Sequence, residues 1–264
     1  MHITSRDNSL LRQARSVRDG KVDEMIFVEG LRLCVEVLRS KLEIDVVIAS
    51  EELVRKEKGA AIFAELSQAA KRVGTVSEKL LESISYTKTP QGIVVLAQRP
   101  EASEQRLAAS LTPDSLLVVL HQINNPVNAG AILRTAEAAG ATGIITTKNT
   151  SDPFSPKSLR GAMGSAFRLP IWRNTDFAEV VAWCRAKNIS LVGTAAGETM
   201  KHTDWDWKRT SALLLGPEST GLSDDELQAT DQTVSIPMQG EVESLNVSVA
   251  AGILLYEAAR QRLS

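Results

Sequence analysis

Near the C-terminal end, Ser244-Leu245-Asn246 sets two short polar side chains just ahead of an apolar run, Val247, Val249, Ala250, Ala251, Ile253, Leu254, Leu255 and Ala258. That run predicts a helix apolar on nearly every side, buried in a core or against another subunit. The first turn of a helix has free backbone N–H groups, so Ser244 and Asn246 would point with them at one spot. Such a spot can hold and orient a polar group. Taken alone, the pair is more often a helix cap than catalytic. Company comes from other loops rich in glycine and small polar residues. Ala195-Ala196-Gly197 follows the apolar stretch 190–194, Gly216-Pro-Glu218-Ser-Thr-Gly221 follows 211–215, and Pro237-Met238-Gln239-Gly240 follows a stretch ending at Ile236. In a parallel sheet, neighbouring strand ends share one edge, where ligands bind. Loops of this kind make a pocket for a flat, mostly uncharged ligand such as an adenosine, whose base edge backbone groups would read.

Other chemistries are disfavoured. The chain has no G-x-G-x-x-G after a strand and no G-x-x-x-x-G-K-[ST], so a dinucleotide or phosphate-loop enzyme does not fit. His2, His121 and His202 lie far apart with no acidic or cysteine cluster beside them, which argues against a metal. Cys34 and Cys184 sit in apolar helical patterns and read as buried fillers in a reducing compartment. The start of the chain is polar, without an apolar signal core, and the longest uncharged apolar run is too short to span a bilayer. The expectation is a cytoplasmic protein. Net charge is −2, so no global basic field advertises a nucleic-acid partner. Up to Arg99 there are 16 Lys+Arg against 14 Asp+Glu, and 14 against 18 thereafter, leaving the first part slightly basic. Arg12, Arg15 and Arg18 fall on or near the polar side of a predicted helix, with Arg6 just before it, a solvated face or an edge that touches phosphates. Lys157, Arg160 and Arg168 flank the small-residue stretch 161–166.

The elements that must position these residues alternate between strand and helix. Strands are expected at 25–28, 44–49, 72–76 and 92–97, with helices at 9–18, 30–39, 51–70 and 78–83. These make a compact α/β domain over residues 1–98, whose loops hold no obvious catalytic group. A polar linker is placed at 99–114. From 115 to 264 the buried strand 116–123 leads through Asn124-Asn-Pro-Val-Asn128 into a helix ended by Gly140, then a strand at 143–147. A helix at 177–186, strands at 190–194, 211–215 and 233–236, and a capping box from Ser223 to Glu226 complete a mostly parallel α/β fold.

Three segments together resemble the SpoU (TrmH-like) family of SPOUT RNA 2'-O-ribose methyltransferases. They are Asn128-Ala-Gly-Ala-Ile-Leu-Arg134 through Gly140, Leu215-Gly-Pro-Glu-Ser-Thr-Gly-Leu222, and Ile236-Pro-Met238 through Glu243-Ser-Leu-Asn246 to Ala250, in the family's order and spacing. Ile3-Thr-Ser, Phe27-Val-Glu-Gly30 and Pro90-Gln-Gly92 resemble its N-terminal RNA-binding domain more loosely. Ala162, after Arg160-Gly161, stands where the family pattern has a serine. The resemblance implies a C-terminal trefoil knot that binds S-adenosyl-L-methionine and a homodimer with the active site at the subunit interface. The RNA partner is rRNA in preference to tRNA, since an N-terminal domain is commoner among the rRNA-modifying members. By position, Gly216, Ile236 and Leu245 would hold the cofactor, with Thr194, Gly197 and Met238 completing its pocket. Asn128, Arg134, Glu218, Ser244 and Asn246 would form the catalytic cluster, and Arg6, Arg12, Arg15 and Arg160 would contact RNA. Arg134 cannot be a simple base, because a guanidinium stays protonated in proteins. Its expected role is a bidentate clamp on the RNA phosphate that also stabilises the emerging alkoxide. The competing readings are an exposed surface arginine paired with Glu137 or Glu218, and a non-catalytic RNA-binding protein that kept the fold.

Overall fold

The computed structural model describes residues 1–197 and 199–263. Its contacts divide the chain into two units, Met1–Pro100 with Phe154–Arg168, and Glu101–Pro153 with Leu169–Ser264.

The first unit contains β1 (His2–Ile3), α1 (Ser9–Arg18), β2 (Met25–Glu29), α2 (Leu31–Arg39), β3 (Ile44–Ser50), α3 (Glu51–Arg55), α4 (Glu57–Ala69), β4 (Ala70–Val76), α5 (Glu78–Glu82) and β5 (Ile93–Gln98). The strands form one sheet in the order β1-β4-β3-β5-β2. Asn8 caps α1 by accepting from the Leu10 N–H at 2.9 Å, and the helix turns Leu10, Leu11, Ala14 and Val17 into the core. All five residues of β2 are buried, as are five of the six in β5. The single helix expected over 51–70 is two helices, because Lys56 has an extended backbone. The break folds α4 back so closely that a Cβ on Gly59 would overlap the Leu53 carbonyl, which glycine alone avoids.

The second unit opens with α6 (Glu104–Ala109), β6 (Leu116–Leu120), α7 (Pro126–Ala138) and β7 (Gly143–Thr147). Here the polar stretch read as a linker differs from expectation. Ser103 caps α6 through the Arg106 N–H at 3.2 Å, Leu107 is fully buried, and Glu104 accepts from the Trp183 indole at 2.6 Å. One buried leucine anchors a stretch whose composition is otherwise that of a loop.

The chain then returns to the first unit as α8 (Pro156–Ala162) and α9 (Ser165–Arg168). Leu159 and Phe167 are buried there, Arg168 reaches Glu36 of α2 at 2.6 Å, and the Arg99 guanidinium lies 5.1 Å over the Phe154 ring. The sequence boundary kept this segment with 115–264, since it falls between two strands of the other sheet.

The second unit continues with β8 (Ile171–Thr175), α10 (Phe177–Ala186), β9 (Ser190–Thr194), β10 (Ser211–Leu215), α11 (Asp224–Gln228), β11 (Gln232–Val234) and α12 (Val247–Leu263). Its six strands are all parallel, in the order β11-β9-β10-β6-β7-β8. Every residue of β6, β7 and β10 is buried, as expected of central parallel strands covered on both faces. β10 is laid between β6 and β9 after both, in register Leu215 to Leu120, which makes β6/β10 the point where the strand order reverses. β11 is shorter than the 233–236 strand expected, since beyond Val234 only Ser235 makes an isolated bridge, to Lys201.

Candidate functional site

The carboxyl ends of β9, β10 and β11 lie side by side, so the loops that follow them meet at one sheet edge, beside the switch between β6 and β10. Thr194 sits at that edge and donates its hydroxyl to the Leu214 carbonyl of β10 at 3.1 Å. After β10, the loop 216–222 doubles back tightly. A Cβ on Gly216 would stand 2.8 Å from the Leu222 side chain and 2.9 Å from its backbone nitrogen. Gly221, at φ +66°, closes the loop with its N–H on the Pro217 carbonyl at 2.9 Å. Gly197, at φ +78°, faces open space. Past it the chain is pinned along β11, with the Ser235 N–H on the Met200 carbonyl and the His202 N–H on the Ser235 carbonyl, both at 2.9 Å. Ile236, Met238 and Leu245 are each half-buried. Residues 194–197, 216–217 and 236–240 carry no ionisable side chain, so this edge suits a neutral adenosine moiety read by backbone groups.

Two helices begin at the same edge. Pro126 occupies the first turn of α7 and Asn125 caps it through the Val127 N–H at 3.0 Å. Asn246 caps α12, its Oδ1 accepting from the Ser248 N–H at 2.9 Å and the Ser248 hydroxyl at 2.6 Å. The same side chain reaches across, its Nδ2 donating to Asn128 Oδ1 at 3.4 Å. Asn128 is 6% exposed, and its own Nδ2 is buried with no hydrogen-bond partner among the described residues. A buried amide left half-satisfied costs on the order of 1–3 kcal/mol, which singles this position out. The positive ends of α7 and α12 thus converge where a donor waits for an acceptor. About two turns into α7, Arg134 is exposed and makes no ion pair among the described residues; Glu218 and Ser244 are exposed too.

His121 is a site feature that sequence reading passed over. It follows β6 directly, is 3% exposed, and binds Thr147 through Nδ1 at 3.0 Å and Glu226 of α11 through Nε2 at 2.7 Å. Burial pushes the Glu226 carboxyl up, but hydrogen bonds from the Ser223 N–H and from His121 outweigh it and hold the group below its ordinary value. His121 therefore ties α11, and with it the far end of the 216–223 loop, to the strand beneath. The only signal in the sequence was a polar residue closing an apolar strand. Both cysteines are buried, and burial drives the thiols upward, Cys184 to about 12, so they stay protonated.

The residues expected to meet RNA all fall in the first unit. Arg15 donates to the Arg6 carbonyl at 2.9 Å, and Arg18 pairs with Asp19 at 2.8 Å and reaches the Ser85 carbonyl at 3.2 Å. Half of that row is therefore engaged within the fold, while Arg6 and Arg12 are exposed. Arg160, on α8, is exposed at the mouth of a cavity beside α2.

Residues 115–256 match the SpoU rRNA Methylase family, and residues 27–103 match the family described as RNA 2'-O ribose methyltransferase substrate binding. The 23S rRNA (uridine(2479)-2'-O)-methyltransferase of Streptomyces viridochromogenes is 35% identical over 73% of this chain and 68% of its own length. The 23S rRNA (guanosine(2553)-2'-O)-methyltransferase RlmP of Bacillus subtilis is 31% identical over 87% of this chain and 86% of its own. Among solved structures, the AdoMet-bound rRNA methyltransferase from Sinorhizobium meliloti superposes with a TM-score of 0.86 at 30% identity, covering 100% of this chain and 99% of that one.

Proposed function

The chain belongs to the SpoU rRNA methylase family, and from that premise we propose how its sheet edge carries out the family's reaction. It is an S-adenosylmethionine-dependent RNA methyltransferase that acts on a ribose 2'-hydroxyl, with rRNA as its substrate class. The observation that carries the assignment of residues is the Asn128–Asn246 pair, which joins the starts of α7 and α12 beside the β9, β10 and β11 loops and leaves one buried donor unused.

Gly216, Ile236 and Leu245 hold the cofactor through their backbone groups, and Thr194, Gly197 and Met238 close its pocket. The bound cofactor supplies an electrophilic methyl group on a sulfonium, whose departure as a neutral thioether needs no acid. What remains for the protein is to place the ribose in line and to manage the proton and charge of the attacking oxygen. Arg134, exposed on α7 and without an ion pair among the described residues, clamps the neighbouring RNA phosphate in bidentate fashion and stabilises the oxygen as its proton leaves. Asn128 and Glu218 orient that guanidinium, while Ser244 and Asn246 position the ribose. Two further features of the family belong to this reading. A C-terminal trefoil knot is supported by β10 entering the sheet between strands already laid, and by α12 packing back on α7. A homodimer is supported by Val249, Ile253 and Tyr256, spaced along one face of α12 and 51%, 37% and 56% exposed, with Val127 of α7 48% exposed. The proposed location is the cytoplasm; among the described residues no helix is long and apolar enough to cross a membrane.

Calorimetric titration with S-adenosylmethionine tests the pocket. Saturable binding by the wild type should vanish in Gly216→Val, whose side chain would strike Leu222. Undiminished binding in that variant would move the cofactor elsewhere.

A further inference from the structure

His121 holds more than the strand it closes. Its backbone N–H donates to the Leu215 carbonyl at 2.9 Å, at the last residue of β10, where the 216–222 loop departs. Its side chain reaches the place where the same loop ends. Nε2 lies 2.7 Å from Glu226 Oε1, while Glu226 Oε2 accepts from the Ser223 N–H at 2.8 Å and Ser223 Oγ accepts from the Glu226 N–H at 3.3 Å. Ser223 follows the buried Leu222, whose side chain would stand 2.8 Å from a Cβ on Gly216. One residue therefore clasps both ends of the loop, whose tip from Glu218 to Gly221 is exposed.

The direction of the side-chain bond follows from its partner. A carboxylate can only accept, so the proton in the 2.7 Å contact is on His121 Nε2. Nδ1, 3.0 Å from the Thr147 hydroxyl, completes the bonding of the ring, and Phe177 packs against it at 4.8 Å between centroids. Gln122, the next residue, is held at φ +54°, a left-handed backbone disfavoured for any residue with a side chain. Its N–H donates to Thr147 Oγ1 at 3.2 Å, and its side-chain amide lies 3.2 Å from His121 Nε2. Strain of this kind persists only where the surroundings hold it, and it gathers at binding sites. We propose that His121 is a positioning residue for the cofactor: by donating to Glu226 it keeps the 216–222 loop in its binding shape before S-adenosylmethionine arrives. The proposal rests on the reading of that loop as part of the cofactor pocket. Without the bridge the loop loosens at its α11 end, and binding must then order it, which lowers affinity.

The test is calorimetric titration of the full chain with S-adenosylmethionine, on variants matched to the two ring nitrogens. The amide nitrogen of His121→Gln reaches the Nε2 position and still donates to Glu226, so affinity should stay within about three-fold of wild type. That of His121→Asn reaches only the Nδ1 position, so affinity should fall at least about ten-fold, the scale of a lost hydrogen bond to a charged group. The double variant His121→Asn/Glu226→Ala should bind about as weakly as the weaker single variant, because both act through one contact. Hydrogen exchange adds a local reading. Amides of residues 216–223 should exchange faster in His121→Asn, while the strands of the sheet keep their wild-type protection. Wild-type affinity in His121→Asn, equal losses in the asparagine and glutamine variants, or faster exchange across the whole unit would overturn the proposal. A wild type that binds no cofactor, with exchange in 216–223 still released by His121→Asn, would defeat the cofactor pocket and leave the clasp standing.

Discussion

Asn246 serves two helices with one side chain, its oxygen capping α12 and its nitrogen reaching Asn128 at the start of α7. The two duties can be separated. Asn246→Ala loses both, and should cost about 1 kcal/mol from the missing cap alone, seen as a drop of a few degrees in Tm, together with methyl transfer. Asn246→Asp keeps the capping oxygen and loses the donor, so it should retain the wild-type Tm while transfer falls. Equal activity in the aspartate variant would reduce Asn246 to a cap. Arg134→Ala should abolish transfer and leave cofactor affinity unchanged, because the proposed role of the guanidinium is on the phosphate and not on the cofactor; full activity would refute that role. At this scale the sequence was informative where a residue's neighbours are close in the chain. A polar pair before an apolar run reads as a helix start whatever the fold. The meeting of Asn246 with Asn128, and of His121 with Glu226, depends on how strands are ordered in the sheet, and no local pattern carries that.

α12 shows how far composition describes an element. Its residues predict a helix apolar all round, and Ala251, Leu254, Leu255 and Ala258 are indeed buried, yet Val249, Ile253 and Tyr256 remain exposed within one chain. If the chain forms the proposed dimer through that face, Ile253→Glu should leave it monomeric in sedimentation velocity with helix content intact; a dimer unchanged by the substitution would place the interface elsewhere. The other end of the helix is fastened by Glu257. Arg260 holds its carboxylate in a bidentate pair at 2.8 and 2.9 Å, with Gln261 adding a bond at 2.7 Å, and these outweigh burial to lower its pKa to about 2. A folded pKa below the ordinary 4.5 stabilises the fold above that pH, and the contribution is lost as pH falls toward 2. Glu257→Gln should therefore be less stable than wild type at neutral pH and lose less on acidification, as thermal melts across that range will show. Most helices and strands were legible from period, caps and breakers. The exceptions were physical: Lys56 splits a helix because the chain folds back at Gly59, and α6 hid in a polar stretch because a single leucine anchors it.

At the scale of the whole molecule, what the sequence could not give was the path of the chain between its units. Residues Phe154–Arg168 sit between two strands of the second sheet in sequence and pack in the first unit in space, held by Leu159, Phe167 and the Arg168–Glu36 pair. Nothing in their composition announces that return. The three motifs were legible because each is short and contiguous, and their common edge follows from parallel strands ending together. The most direct test of the account is to incubate the protein with rRNA and S-adenosylmethionine labelled in the methyl group, then hydrolyse the RNA in alkali. Alkaline cleavage requires a free 2'-hydroxyl, so a methylated ribose protects its neighbouring bond. The account predicts label in alkali-resistant dinucleotides, absent with Arg134→Ala; label released in mononucleotides would put the methyl group on a base and contradict it.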